Sequence, residues 1–173
     1  ICREGITRAA CSLRLAFQNG DNLSARTDMS LAALFGGLAL ANAKLGAVHG
    51  FAGPIGGMYP TAPHGVICGL LLPFVMAANV QALTSREPQN PALGRYDEVA
   101  QLITGDPSAS ATDGVAWVRE LAKTLNVPAL SNFGVAVSHF PTIIEKAQHA
   151  SSMKGNPIKL TKRELHEILE FAL

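Results

Sequence analysis

Charge is what this sequence has least of. Only 16% of its 173 residues are Asp, Glu, Lys or Arg, where about 25% is usual for a globular domain. With 48% apolar residues and a net charge of +1, it lacks the apolar-poor, self-repelling character of a disordered chain. Its 14 basic residues are scattered and form no stripe able to track a phosphate backbone, so no nucleic acid is expected as a partner. Aromatics are also few, at 6%, which leaves Ala, Leu, Val and Gly to build the core. Three cysteines, Cys2, Cys11 and Cys68, include no CxxC spacing, and their odd number fits no closed disulfide set. They read as small buried hydrophobes in a reducing compartment, consistent with a cytoplasmic protein. The N-terminus carries Glu4 with no apolar stretch behind it, so it is not a signal peptide. The first residue is Ile1 rather than Met, already inside a helical pattern, as expected of a piece of something longer.

The scarcity of charge is most concentrated between Lys44 and Arg86, where 41 consecutive residues (45–85) include no Asp, Glu, Lys or Arg. A membrane span would produce such a run. Against it, Gly53-Pro54, Gly56-Gly57, Pro60, Pro63 and Pro73 cut the segment, and His49 and His64 lie inside it. The longest unbroken apolar piece, residues 66–78, falls short of the roughly 20 residues a bilayer requires. The expectation is a buried core with no membrane partner.

Strand alternation is nearly absent and helical spacing dominates. Residues 3–18 predict a helix with Ile6, Ala9, Ala10, Leu13 and Phe17 on one face and Gly20 as a left-handed cap. A long helix is predicted over 23–49. Its interior is apolar on nearly every side, which marks a central helix, with Gly36-Gly37 allowing close packing. A Gly/Pro-rich segment, 50–63, should reverse the chain into a helix over 64–84, kinked at Pro73. After a turn region at 85–92, amphipathic helices are predicted near 93–104, 112–125, 137–150 and 161–172. The last opens with a capping box, Thr161 to Glu164. The predicted architecture is an all-α bundle of about seven helices around two buried central ones, with residues 1–173 as one helical domain.

Familiar catalytic motifs are missing: no GxSxG, no Walker loop and no HExxH. His166-Glu-Ile-Leu-Glu170 misses the last of these by one ligand and reads as polar helix surface. The glycines of 50–57 follow a helix rather than a strand and are interrupted by Pro54, so they do not form a dinucleotide loop. Nor is there a strand–helix alternation to build a nucleotide domain. His49 and His64 stand apart. The reversal between them would bring two imidazoles to one point. His64 opens a helix, where the dipole disfavours the imidazolium and keeps a neutral ring able to ligate a metal, such as zinc or iron. Spacing alone favours ordinary core histidines, and two ligands fall short of the usual three or four. His139, His149 and His166 sit on amphipathic helices beside Lys or Glu and are expected to be exposed.

The segment Leu45-Gly-Ala-Val-His49-Gly-Phe-Ala-Gly-Pro-Ile-Gly-Gly57, followed by Pro63-His64-Gly65 and Leu70-Leu-Leu-Pro73, resembles the signature of the iron-containing (group III) alcohol dehydrogenases. Asn42-Ala-Lys-Leu-Gly46, Ser151-Ser-Met-Lys-Gly-Asn-Pro157 and the closing Leu160-Thr-Lys-Arg-Glu-Leu-His-Glu-Ile-Leu169 are similar too. The resemblance implies a two-domain enzyme, with an N-terminal α/β domain for NAD or NADP and a C-terminal, dehydroquinate-synthase-like helical domain for a divalent metal (Fe or Zn). This chain resembles the second domain only. Of the family's ligands, an Asp and a His one helical turn later would precede Ile1, and His49 and His64 match the later pair. Many members carry a further His one turn after the first of that pair; here the position is Gly53. Leu45 matches a position lining the substrate pocket. The resemblance implies an alcohol, aldehyde or ketone substrate and a homo-oligomer, a dimer, while the isolated chain would be inactive for want of a dinucleotide site. A non-catalytic interaction or oligomerisation module, or a maleylacetate reductase-type or dehydroquinate-synthase-like enzyme fragment, are the alternatives.

Overall fold

Helical spacing is realised throughout. The computed structural model describes residues 1–173 as eight α-helices and three short 3-10 segments, with no strand. The helices are α1 (Cys2–Gln18), α2 (Leu23–Asn42), α3 (Ala47–Met58), α4 (His64–Arg86), α5 (Ala92–Thr104), α6 (Ala111–Thr124), α7 (Phe140–His149) and α8 (Lys162–Phe171). They fall into two compact units. One comprises residues 1–43 and 91–125, the other 44–90 and 126–173.

In the first unit α1 packs on α2 and α5, and α5 on α6. Small residues set the approach: a Cβ on Gly5 would lie 3.3 Å from Phe35, and one on Gly114 would lie 2.9 Å from Ala100. Asp28 of α2 accepts from Arg8 and Ser12 of α1 at 2.5 and 2.6 Å. Both hydrogen bonds hold its carboxyl below the usual range, that from Ser12 the more strongly. The expected central role of α2 is corrected here. Only Ala25 is buried along it, while Leu23, Leu34, Leu38 and Leu40 are exposed. Gly36 and Gly37 have nothing close to where a Cβ would stand. An apolar helix surface demands cover, but its composition does not say that the cover lies within the same chain. The Gly20 cap is also corrected: α1 ends at Asn19 in an extended conformation, and only Gly105 and Gly134 have positive φ among the glycines.

The second unit holds the charge-free run. α3 and α4 contribute Phe51, Ile55, Ile67 and Leu71, which are fully buried, as are Phe140 and Ile143 of α7 and Leu165 and Leu169 of α8. α3 packs against α4 and α7, and α4 against α8. By length and composition α4 could cross a membrane, contrary to the expectation of too short a run. Its buried residues, Leu71, Val75 and Leu83 among them, are core of this unit. The capping box of α8 forms as predicted: Thr161 Oγ1 accepts from the Glu164 amide at 3.2 Å, and Glu164 Oε2 accepts from the Thr161 amide at 2.6 Å. Glu164 also receives both hydrogen bonds of the Arg86 Nη2, at 3.0 and 3.1 Å. Thr161→Ala is expected to cost about 1 kcal/mol, a typical cap loss, seen as a lower urea midpoint. An unchanged midpoint would mean that the cap adds nothing here.

The predicted helix over 23–49 is two helices, broken at 43–46. The cause lies far along the chain. Asn156 Oδ1 accepts from the Ala47 amide at 3.1 Å, capping α3 with a side chain that local sequence does not reveal. Residues 50–58 accordingly continue a helix, with Pro54 inside it, instead of forming the expected irregular reversal.

Candidate metal centre

Both predicted histidines lie at helix starts. His49 is in the first turn of α3, and His64 is the first residue of α4, after Pro63. This replaces the expected placement of His49 at a helix C-terminus. At a helix N-terminus the dipole disfavours positive charge. The two rings approach with centroids 5.4 Å apart and planes tilted by 51°. His49 is half-buried and His64 exposed. Burial lowers the pKa of His49 from its ordinary value, and the neighbouring His64 charge lowers it further. The neutral, ligating form of His49 is thereby favoured.

A third donor stands with them. Cys68 follows His64 by one turn of α4, and its Sγ lies 3.5 Å from His64 Nε2. Ligand atoms of His49, His64 and Cys68 are all within 4.8 Å of one another. Burial raises the Cys68 thiol pKa. Sequence reading missed this residue by treating all three cysteines as buried hydrophobes. Cys2 and Cys11 are in fact exposed, and Cys68 is half-exposed. The signal was present as His64-x-x-x-Cys68, a spacing that puts two side chains on one helix face.

The surroundings hold these helices in place. Asn79 of α4, 2% exposed, exchanges hydrogen bonds with Asn156: Asn156 Nδ2 donates to Asn79 Oδ1 at 2.7 Å, and Asn79 Nδ2 to Asn156 Oδ1 at 3.1 Å. That same Oδ1 caps α3. One amide therefore ties the interior of α4 to the turn that carries His49. Gly155 sits against this turn so closely that a Cβ there would fall 1.8 Å from the Leu45 carbonyl oxygen.

Leu45 and Gly53 are placed differently. Leu45 is half-buried in the non-helical segment before α3, outside the single helix predicted over 23–49. Gly53 lies one turn beyond His49 on α3, exposed, with open space where a Cβ would be. The remaining histidines stand outside the cluster. His149 is exposed as predicted. His139 and His166 are half-buried, a correction to that expectation. Tyr59 donates its hydroxyl to His139 Nδ1 at 2.6 Å, and that nitrogen also accepts from the Ala136 amide at 3.1 Å.

Two imidazoles and one thiol, in a segment free of carboxylates, make a nitrogen and sulfur donor set. Such a set fits a borderline divalent ion such as zinc or iron. The eight helices without a strand define an all-helical class, within which His49 and His64 converge. The description "Fe-containing alcohol dehydrogenase family, C-terminal" matches residues 1–173, and the chain belongs to that family. It is 34% identical over 170 residues to alcohol dehydrogenase 4 of Saccharomyces cerevisiae, covering 98% of this chain and 42% of that protein. Against 1,3-propanediol dehydrogenase of Klebsiella pneumoniae it is 34% identical over 175 residues, covering 98% and 43%. The crystal structure of a 1,3-propanediol oxidoreductase superposes with a TM-score of 0.84 at 31% identity, covering 99% of this chain and 44% of that one. An alcohol dehydrogenase from Oenococcus oeni gives the same TM-score, 0.84, at 32% identity. The chain spans less than half the length of these relatives.

Proposed function

We propose that this chain forms the metal-holding C-terminal part of an NAD- or NADP-dependent alcohol dehydrogenase. The observation that carries the reading is the convergence of His49 and His64 from the starts of two helices. When bound, a divalent metal (Fe or Zn) would supply Lewis-acid polarisation of an alcohol, aldehyde or ketone oxygen during hydride transfer to or from the nicotinamide. His49 and His64 would hold it through neutral ring nitrogens. The buried Phe51, Ile55 and Ile67 nearby on α3 and α4 give an apolar backing that limits competing water. Gly53, exposed and without a side chain, leaves room for substrate one turn from His49, and Leu45 is assigned to the same pocket.

The relatives' names support the oxidoreductase class, and their greater length leaves room for a nucleotide-binding portion in a protein of this kind. This chain has no strand on which to build one, and by itself it is expected not to turn over NAD(P)H. The same reading makes the protein a homo-oligomer, with the exposed leucines of α2 as apolar surface for a contact. Free thiols at Cys2, Cys11 and Cys68 support a reducing, cytoplasmic setting.

The test is equilibrium dialysis of the full-length protein that contains this chain against zinc(II) and, anaerobically, against iron(II). About one equivalent per chain should be retained, as for a single coordination site. Retention of none would overturn the metal role.

A further inference from the structure

The second unit holds a cavity of about 290 Å³, walled by the end of α7, the 3-10 turn Ser151–Gly155 and the start of α8. We infer that it is a binding site for a small organic anion with an apolar tail, of the carboxylate class.

Its volume is close to the lower end of small-molecule sites, which run to about 300–1,000 Å³. The floor is apolar. Met153, Ile158, Leu160 and Leu165 line it, and the last three are buried. Among the polar groups, Asn156 is closed to a ligand. Its Oδ1 accepts from the Ala47 amide and Asn79 Nδ2, and its Nδ2 donates to Asn79 Oδ1 and the Ile158 carbonyl, which exhausts a side-chain amide. Recognition therefore falls to Gln148, a half-buried amide, and to Lys154 and Lys159.

The two lysines are the charged groups of the lining, both are exposed, and neither is held in an ion pair. No carboxylate lines the cavity, and Glu164 nearby at the start of α8 is taken by Arg86 and the Thr161 amide. Two unpaired ammonium groups above an apolar floor select a ligand with one negative end and a hydrocarbon body. The carboxylate meets the cations, and the tail leaves water for the floor. A cation of the same shape is repelled, and an inorganic anion gains nothing from the floor. Met153 suits the tail, since an unbranched thioether adapts to what it packs against. It also touches α3, where a Cβ on Gly50 would lie 2.8 Å from Met153 Cε. A tail in the cavity therefore changes the surroundings of that methyl group.

Hexanoate titrated into the full-length protein that contains this chain, with its methionine methyls carbon-13-labelled, tests this directly. The Met153 methyl resonance, assigned by its loss in Met153→Leu, should move saturably, with a Kd on the order of 1 mM. Each methylene added between butanoate and hexanoate should tighten binding about fourfold. The Lys154→Gln/Lys159→Gln double variant, altered only at exposed positions, should bind hexanoate about threefold or more weakly, as expected of two solvent-exposed charge contacts. Hexylamine, with the same tail and the opposite charge, should leave the resonance in place. A resonance that hexanoate does not move, or that hexylamine moves at the same concentrations, would overturn the site. Inorganic phosphate binding as tightly as hexanoate would remove the apolar floor from the argument and the proposed ligand class with it. Unchanged hexanoate affinity in the double lysine variant would do the same for the anionic end.

Discussion

Replacing His64 with alanine is expected to lower the affinity of the full-length protein for zinc or cobalt by about 100-fold or more, since even the loss of a group that only orients a ligand costs about 10–100-fold. The imidazole is one of the two nitrogen donors that this chain brings together, and its removal leaves His49 without its partner. Stability should barely change. His64 is exposed and, as the first residue of α4, packs into no core; surface changes of this kind stay within about 0.5 kcal/mol. The expected signature is thus a large loss of binding with an almost unaltered urea midpoint. Competition against a chromophoric chelator measures the first and denaturation the second. A variant that binds zinc as tightly as wild type would remove His64 from the site.

Gly155→Ala should do the reverse, damaging the scaffold first. The new methyl would sit 1.8 Å from the Leu45 carbonyl oxygen and 2.7 Å from Lys44 Cβ. The first of these is backbone, which cannot swing aside as a flexible side-chain end can. Overpacking typically costs about 1–3 kcal/mol and sometimes more, and a contact this short belongs at or above the upper end. The strain is steric, because Gly155 is not among the glycines with positive φ. Relief requires moving residues 44–46 away, and with them the start of α3 and His49. Metal affinity should therefore fall together with the urea midpoint. Gly20→Ala is the comparison: nothing lies within 4 Å of its Cβ position, and its effect should be small. A Gly155→Ala midpoint no lower than that of Gly20→Ala would show that the segment yields freely and does not position α3.

Much of this arrangement was legible in the sequence because the responsible signals are local. The helix starts at 64, 92, 111 and 162 follow from periodicity and from caps within a few residues, and the Thr161–Glu164 box is read directly from four letters. The histidine pair was legible only in part. The charge-free stretch marked both rings, and His64 opens α4 as predicted, but spacing alone favoured ordinary core histidines and placed His49 at a helix end rather than at the start of α3. The break between α2 and α3 was not legible. It depends on Asn156, 109 residues away from Ala47, and on Gly155, whose need for smallness arises only when the two segments meet. Nothing near Leu45 encodes either partner. The exposure of α2 escaped for a different reason. Apolar residues all round a helix specify a preference for cover but carry no address for it. Cys68 was visible at the right spacing and was lost to a generalisation about its residue type.

The amide pair between Asn79 and Asn156 has a consequence for motion. Because Asn156 Oδ1 accepts from both the Ala47 amide and Asn79 Nδ2, the cap on the first turn of α3 is anchored to α4, whose buried residues keep it in the core. Helix ends ordinarily fluctuate independently and at low cost. Here the end that presents His49 is tied through Asn156 to the buried interior of α4, so its fluctuation is coupled to the packing of that helix.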